Sequence, residues 1–200
     1  MDKAKIKQGT KLILEGLAGP EWTEDPNYKD TPRRVADFYE EMFRPREYEA
    51  TTFPARYKQM IVLAHHKEWA MCPHHLLPFE LDISVAYIPA NLKGETPRVL
   101  GLSKLVRLVQ NHFEEPILQE DLTDSIADEV MRVLTGPSSG LADNKPQGVG
   151  VLVYGVHTCM QARGVKTSGY VVTEALRGVF LDKPEVRVEF LTLLRRPSEP

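Results

Sequence analysis

Two amphipathic helical segments in the middle of the chain constrain its fold more than any other feature. Their apolar residues recur every three or four positions, which is the spacing of one buried helix face. The first stripe is Leu102, Leu105, Val109 and Phe113, and the second is Leu118, Leu122, Ile126, Val130 and Leu134. Pro116 separates the two stripes. The sequence therefore predicts two consecutive helices, each with one buried face.

Strand patterns flank this helical pair on both sides. The predicted strands are residues 60–64 and 81–88 before the helices, and 149–156 and 166–175 after them. The alternation of Ile83, Val85 and Tyr87 indicates a half-buried sheet. Strand pairs around a helix pair predict an α+β fold, an antiparallel sheet with two helices on one face. A last helix is predicted to begin near Pro184.

The N-terminal segment predicts helices and no long strand. The first helix covers residues 3–18, with four positions that we expect to be buried: Ile6, Leu12, Leu14 and Leu17. The second begins at Thr31, which can cap it, with Pro32 at the first helical position. It runs to about Phe43. We therefore predict an N-terminal helical extension over residues 1–56 and a second domain over residues 57–200.

Charge and hydropathy argue against nucleic-acid and membrane partners. The formal net charge is -3 at pH 7, which provides no general attraction to phosphate backbones. No apolar run approaches the ~20 residues of a membrane helix. The start of the chain mixes charges with apolar residues and lacks the pattern of a secretory signal. We expect a cytoplasmic protein that binds any anionic substrate through a local cluster of cations.

Both cysteines of the chain lie in clusters that contain histidine. Cys72 is followed by His74 and His75, and His157 precedes Cys159 by two positions. Thiolate and imidazole are the ligands that zinc prefers, and a catalytic zinc has three protein ligands and one water. Cys72, His75 and Cys159 are the candidate ligands, and the two other histidines can carry protons. A structural zinc with a fourth protein ligand is the alternative.

The predicted helix pair begins with polar residues that have two interpretations. Ser103, Lys104 and Arg107 lie within one turn at the positive end of a helix, which suits an anion site or a solvated face. Gln119 and Glu120 open the next helix. A carboxylate there can accept hydrogen bonds from a guanine edge, but a glutamate in a first turn also favours the helix dipole.

Taken together, these segments resemble the GTP cyclohydrolase I family. The matching segments follow one another over most of the chain: residues 30–36, 72–75, 101–104, 119–123, 157–164, 178–180 and 189–191. The resemblance implies a tunnelling fold, which makes residues 57–200 its catalytic domain. It also implies that subunits join their sheets into barrels, and that two rings form a toroidal homodecamer with active sites at subunit interfaces.

The resemblance implies a role for each candidate residue. The zinc ligands are Cys72, His75 and Cys159. The catalytic residues are His74, which protonates the purine imidazole ring, and His157, which Ser103 assists. The guanine-holding residues are Gln119 and Glu120. The cations that bind the triphosphate are Arg34, Lys104, Arg107 and Arg163.

The implied reaction is a zinc-dependent hydrolysis at C8 of GTP that releases formate and closes to 7,8-dihydroneopterin triphosphate. The sequence departs from the family pattern at Pro73, where glutamate is usual, and at Asp121, where arginine is usual. Two alternatives therefore stay open. One is another purine or pterin enzyme of the tunnelling fold that uses a modified guanine nucleotide. The other is a non-catalytic, zinc-bearing oligomer that binds nucleotides.

Overall fold

The chain forms two compact units, residues Met1–Pro45 and Arg46–Pro200. The computed structural model describes residues 1–45, 48–92, 94, 96–136 and 144–195. Among these residues, no helix is both long and apolar enough to cross a membrane. The domain boundary that we predict after residue 56 stays a prediction.

The first unit consists of helix α1 (Lys3–Ala18), a short 3-10 helix (Pro20–Glu24) and helix α2 (Thr31–Met42). Asp2 caps α1, because its carboxylate accepts from the N–H groups of the second and third residues after it. The expected burial of α1 is correct for Leu14 and wrong for Leu12 and Leu17, which are 60% and 81% exposed. The helical period was therefore predicted correctly, but not the face that packs.

The second unit contains two sheets and the remaining helices. In chain order its elements are β1 (Thr52–Pro54), β2 (Ile61–Met71), β3 (Pro78–Ile88), β4 (Arg98–Leu100), α3 (Leu102–Gln110), α4 (Gln119–Thr135), β5 (Gly148–His157), α5 (Thr158–Gln161), β6 (Val171–Gly178), α6 (Val179–Asp182) and α7 (Pro184–Leu193). The four long strands form an antiparallel sheet in the order β2-β3-β5-β6, and β1 pairs with β4. The predicted α+β class is confirmed.

The core explains this arrangement. Alternate residues of β3 and β5, such as Ile83 and Val151, are fully buried against the apolar stripes of α3 and α4. Their neighbours in sequence point to the other face of the sheet. There, Leu152 packs with Phe180 and with Phe190 of α7. The two predicted helices therefore share one face, and the C-terminal helices cover part of the other.

The strands differ in extent from the sequence prediction. β2 continues to Met71, well beyond the predicted end at residue 64, and β6 begins at Val171, not at residue 166. The extension of β2 contains His65, whose φ of 57° lies beside an irregularity in the pairing with β3. A bulge at this point explains why the alternation of polar and apolar residues in β2 is not regular.

Candidate active site

The two cysteines meet because three strand ends lie at the same edge of the sheet. Cys72 follows β2, and the turn back into β3 is closed by two hydrogen bonds. The Cys72 carbonyl accepts from the Leu76 N–H at 2.9 Å, and the Cys72 N–H donates to the Leu77 carbonyl at 3.1 Å. β5 ends beside this turn, since His157 pairs with Phe79. Cys159 lies in the helical turn that follows.

The ligand atoms of Cys72, His75 and Cys159 all lie within 4.8 Å of one another. Ligands around a tetrahedral zinc ion are separated by about 3.5–3.8 Å, so a small contraction of this group suffices to hold the ion. The Cys72 side chain is buried and that of His75 is exposed. The donor set, two thiols and one imidazole, therefore fits the catalytic type of zinc site, which leaves one position open.

Arg163 contacts one of the candidate metal ligands. Its guanidinium lies against the imidazole of His75, with 2.5 Å between Nη1 and Nε2. A guanidinium is only a donor, so Nε2 of His75 accepts in this contact. The structure thus brings Arg163 directly beside the predicted metal ligands.

A cavity of about 210 Å³ opens beside the three ligand residues. Its wall combines two of the ligands, both candidate acid–base histidines and the start of α4: Cys72, His74, Phe79, Ile117, Leu118, Gln119, Glu120, His157, Cys159, Met160 and Val171. Apolar residues therefore enclose a small number of polar groups, the composition typical of a site for a small molecule.

His157 is held on one face and at one edge. Its ring stacks on Phe79 with 4.3 Å between the centroids and 14° between the planes. Its Nε2 atom lies 2.8 Å from Oε1 of Gln119. Burial lowers the pKa of His157 below its usual value, and the nearby carboxylate of Glu120 opposes this shift. The ring is therefore fixed in place and biased toward its neutral form.

Gln119 is enclosed by groups of its own chain. Its side-chain nitrogen donates toward the Val153 carbonyl at 3.2 Å, the Val171 carbonyl at 3.2 Å and the hydroxyl of Thr173 at 3.0 Å. The side chain lies over Gly155 in β5, where a Cβ atom would overlap Oε1 of Gln119. Glu120, the next residue, is exposed and lines the cavity.

The remaining candidates do not line this cavity. Ser103 and Arg107 are exposed on α3, and Lys104 is half-buried there. Arg34 is exposed on α2 in the first unit, 4.0 Å from the carboxylate of Asp30. The roles that the resemblance implies for these four residues stay predictions.

Two residues of the site were absent from the sequence prediction. Phe79 supports His157 because the two residues pair across β3 and β5, and Thr173 reaches Gln119 from β6. Neither contact can be inferred from spacing along the chain. A correct strand register would have indicated the first, since paired residues on one face are neighbours.

Comparison with known proteins identifies relatives over almost the whole chain. The family model described as GTP cyclohydrolase I matches residues 6–195. GTP cyclohydrolase 1 of Aquifex aeolicus (strain VF5) is 40% identical over an alignment of 201 positions that covers 98% of this chain and 98% of that protein. GTP cyclohydrolase 1 of Hydrogenobaculum sp. (strain Y04AAS1) is 39% identical over 98% of this chain and 100% of that protein. Among solved structures, the apo form of the archaeosine synthase QueF-Like overlaps 58% of this chain and 92% of that chain, with 20% identity and a TM-score of 0.39.

Proposed function

The chain belongs to the GTP cyclohydrolase I family, and on this premise we propose that it converts GTP and water to formate and 7,8-dihydroneopterin triphosphate. The observation that carries the proposal is the position of three potential metal ligands beside a cavity whose wall also contains two histidines and a glutamate. A hydrolase that opens a purine ring needs these three components: a water activator, proton carriers and an anchor for the base.

The cofactor in this proposal is Zn²⁺, held by Cys72, His75 and Cys159. When bound there, zinc supplies a Lewis acid that brings the pKa of a coordinated water toward about 7. The protein contributes the rest, because the two thiols, His74 and His157 lie together at one wall of the cavity.

Glu120 is the proposed anchor for the guanine base. Its carboxylate accepts only, and the N1–H and amino group of guanine donate only, so the two edges are complementary. Such charge-assisted hydrogen bonds contribute about 1.5–3 kcal/mol each. Glu120→Gln replaces one acceptor by a donor, so we expect KM for GTP to rise by about 10-fold or more. Glu174→Gln, an exposed substitution on β6, is the matched control and should leave KM unchanged.

His74 and His157 are the proposed proton carriers. Both line the cavity, and each lies two positions from a cysteine that is proposed to hold the metal. His74 delivers a proton to the imidazole ring of the purine as that ring opens. His157 exchanges protons in the same cavity, and the structure fixes its ring through Phe79 and Gln119. Ser103 is proposed to assist it.

The triphosphate needs cations that the cavity wall of one subunit does not supply. The described residues that line it include neither lysine nor arginine. We propose that Lys104, Arg107, Arg163 and Arg34 bind the phosphates, and that a neighbouring subunit completes each site. The proposed assembly is a toroidal homodecamer in the cytoplasm, and its mass in solution by light scattering tests the assembly. A monomer that turns over GTP would contradict it.

The function is tested by incubating the zinc-loaded protein with GTP and measuring formate together with the fluorescent pterin that forms on oxidation. We expect both products in equal amounts. Cys159→Ser should lose bound zinc and both products, whereas His66→Gln, a histidine of β2 outside the cavity, should retain them. The absence of formate with GTP, GDP, GMP and dGTP alike would overturn the proposal.

A further inference from the structure

The orientation of the Gln119 side chain is determined by its partners. Its nitrogen faces three acceptors, and two of them, the carbonyls of Val153 and Val171, can only accept. Turning the amide over would place Oε1 against two carbonyl oxygens and leave both hydrogens of the nitrogen near His157. The oxygen of Gln119 therefore faces His157, at 2.8 Å from Nε2.

Two threonines determine the direction of the hydrogen bonds next to this amide. Thr123 donates its single hydroxyl hydrogen to the main-chain carbonyl of Gln119 at 2.6 Å. In the 2.6 Å contact between the two hydroxyls, Thr173 must therefore be the donor. The Thr173 oxygen remains an acceptor for the Gln119 nitrogen. Gln119 and Thr123 are 2% and 1% exposed, so water does not compete for these bonds.

The consequence concerns the proton of His157. We infer that Gln119, supported by Thr173, is a positioning residue that holds neutral His157 as the tautomer with its proton on Nε2. Oε1 of Gln119 can only accept, so Nε2 must donate to it. The lone pair of the neutral ring then lies on Nδ1, the ring nitrogen that does not contact Gln119. This inference depends on the proposed function only for the role of His157 in the reaction.

The same geometry limits what the Gln119 amide can offer to the base. Both hydrogens of its nitrogen are engaged by three acceptors of the protein. For the nitrogen to donate to guanine instead, one of these buried bonds would have to break, at a cost of about 1–3 kcal/mol. The guanine-holding role that the resemblance implies for Gln119 therefore requires its oxygen or its main chain and stays a prediction.

The tautomer is tested directly by magic-angle-spinning NMR on the zinc-loaded protein labelled with 15N at histidine. His157→Asn identifies the resonances of His157 by their loss. The two ring nitrogens differ in chemical shift according to which of them carries the proton. We expect a protonated Nε2 and an unprotonated Nδ1 in the neutral ring. A protonated Nδ1, or a mixture of both tautomers, would overturn the inference.

A remote substitution tests the positioning role. Thr173→Val removes one acceptor from Gln119 without touching the cavity wall, and Thr173→Ser retains the hydroxyl. We expect Thr173→Val to lower kcat for formate release by about 10-fold, within the range for groups that orient a functional side chain, with KM changed less than about 2-fold. Thr173→Ser should restore the wild-type values. A rise in KM with unchanged kcat would show instead that the network serves base binding.

The NMR and formate measurements distinguish a failure of the inference from a failure of the proposed function. If no guanine nucleotide yields formate but NMR shows the Nε2–H tautomer, the proposed function fails and the positioning of His157 stands. If formate is released but the tautomer is mixed in the wild-type protein, the positioning role fails and the proposed function stands.

Discussion

Tyr87→Phe is a single-atom test of how the two sheets of the second unit are joined. Tyr87 lies in β3 and is fully buried. Its hydroxyl accepts from the Leu100 N–H at 3.0 Å. Leu100 is the last residue of β4, which pairs with β1. The phenol oxygen therefore connects the four-stranded sheet to the two-stranded one.

Two effects of opposite sign determine the difference in the free energy of unfolding between the wild type and Tyr87→Phe. At pH 8, removing the hydroxyl leaves a buried N–H without its acceptor, which costs about 1–3 kcal/mol. Burial raises the pKa of Tyr87 from 10.0 to about 12, although the Leu100 N–H opposes this rise. The folded wild-type pKa is higher than the unfolded one, so stability is complete below pH 10 and is lost as the pH rises toward 12. The loss is about 1.4 kcal/mol at pH 11 and about 2.7 kcal/mol above pH 12.

Urea denaturation at pH 8 and at pH 11, at one fixed protein concentration, measures both parts. We expect Tyr87→Phe to unfold at lower urea than the wild type at pH 8, and the difference to shrink by about 1.4 kcal/mol at pH 11, because the variant has no phenol to ionise. Tyr170→Phe, at a 64% exposed position, is the control and should follow the wild type at pH 8. A difference for Tyr87→Phe that does not change with pH would refute the reasoning.

Further substitutions test separate parts of the structure. Gly178→Ala should destabilise the fold by more than about 1 kcal/mol in urea denaturation, because φ at Gly178 is 58° and a Cβ there would overlap the Gln147 carbonyl. Gly169→Ala, where the nearest atom is 3.9 Å away, is the control and should be neutral. Equal effects of the two substitutions would contradict the argument. Asp121→Arg should lower KM for GTP and leave KM for GMP unchanged if residue 121 faces the phosphates, and an equal change for both nucleotides would exclude this. His65→Leu removes the 2.8 Å hydrogen bond from Nε2 to the Leu194 carbonyl. For a loss of about 1.4 kcal/mol, hydrogen exchange of the α7 amides should accelerate by roughly 10-fold. Unchanged protection of α7 would contradict a role of His65 in holding this helix.

The parts of the fold that the sequence predicted well are those with a strong local period. The apolar stripes place α3 and α4 within a few residues of their observed bounds, because each helix buries one face of fixed spacing. β2 was predicted too short, since a bulge near His65 interrupts its alternation. The position of α7 on the second face of the sheet was missed as well, because a helix pattern does not specify which surface it covers.

The candidate site likewise contains residues that the sequence predicted and residues that it could not predict. Residue types alone were enough to select Cys72, His75 and Cys159, because thiols near histidines are uncommon and their chemistry is specific. The structure then brings their ligand atoms together. Phe79 and Thr173 could not be selected, since each acts through a contact between strands far apart in sequence. The four residues of α2 and α3 that the resemblance assigns to phosphate binding or proton transfer do not line the cavity, so their roles stay predictions.

The pair Gln119–Glu120 shows why neighbouring residues in a motif need not share a task. Successive positions at the start of a helix point about 100° apart. The Gln119 side chain is 2% exposed and contacts β5 and β6, whereas Glu120 is exposed, although both residues line the cavity. Under the proposed function, the Glu120 carboxylate anchors the base, and its charge also raises the pKa of His157 against the effect of burial. We therefore predict that Glu120 couples base binding to proton exchange, and that the main effect of Gln119 is on the position of His157.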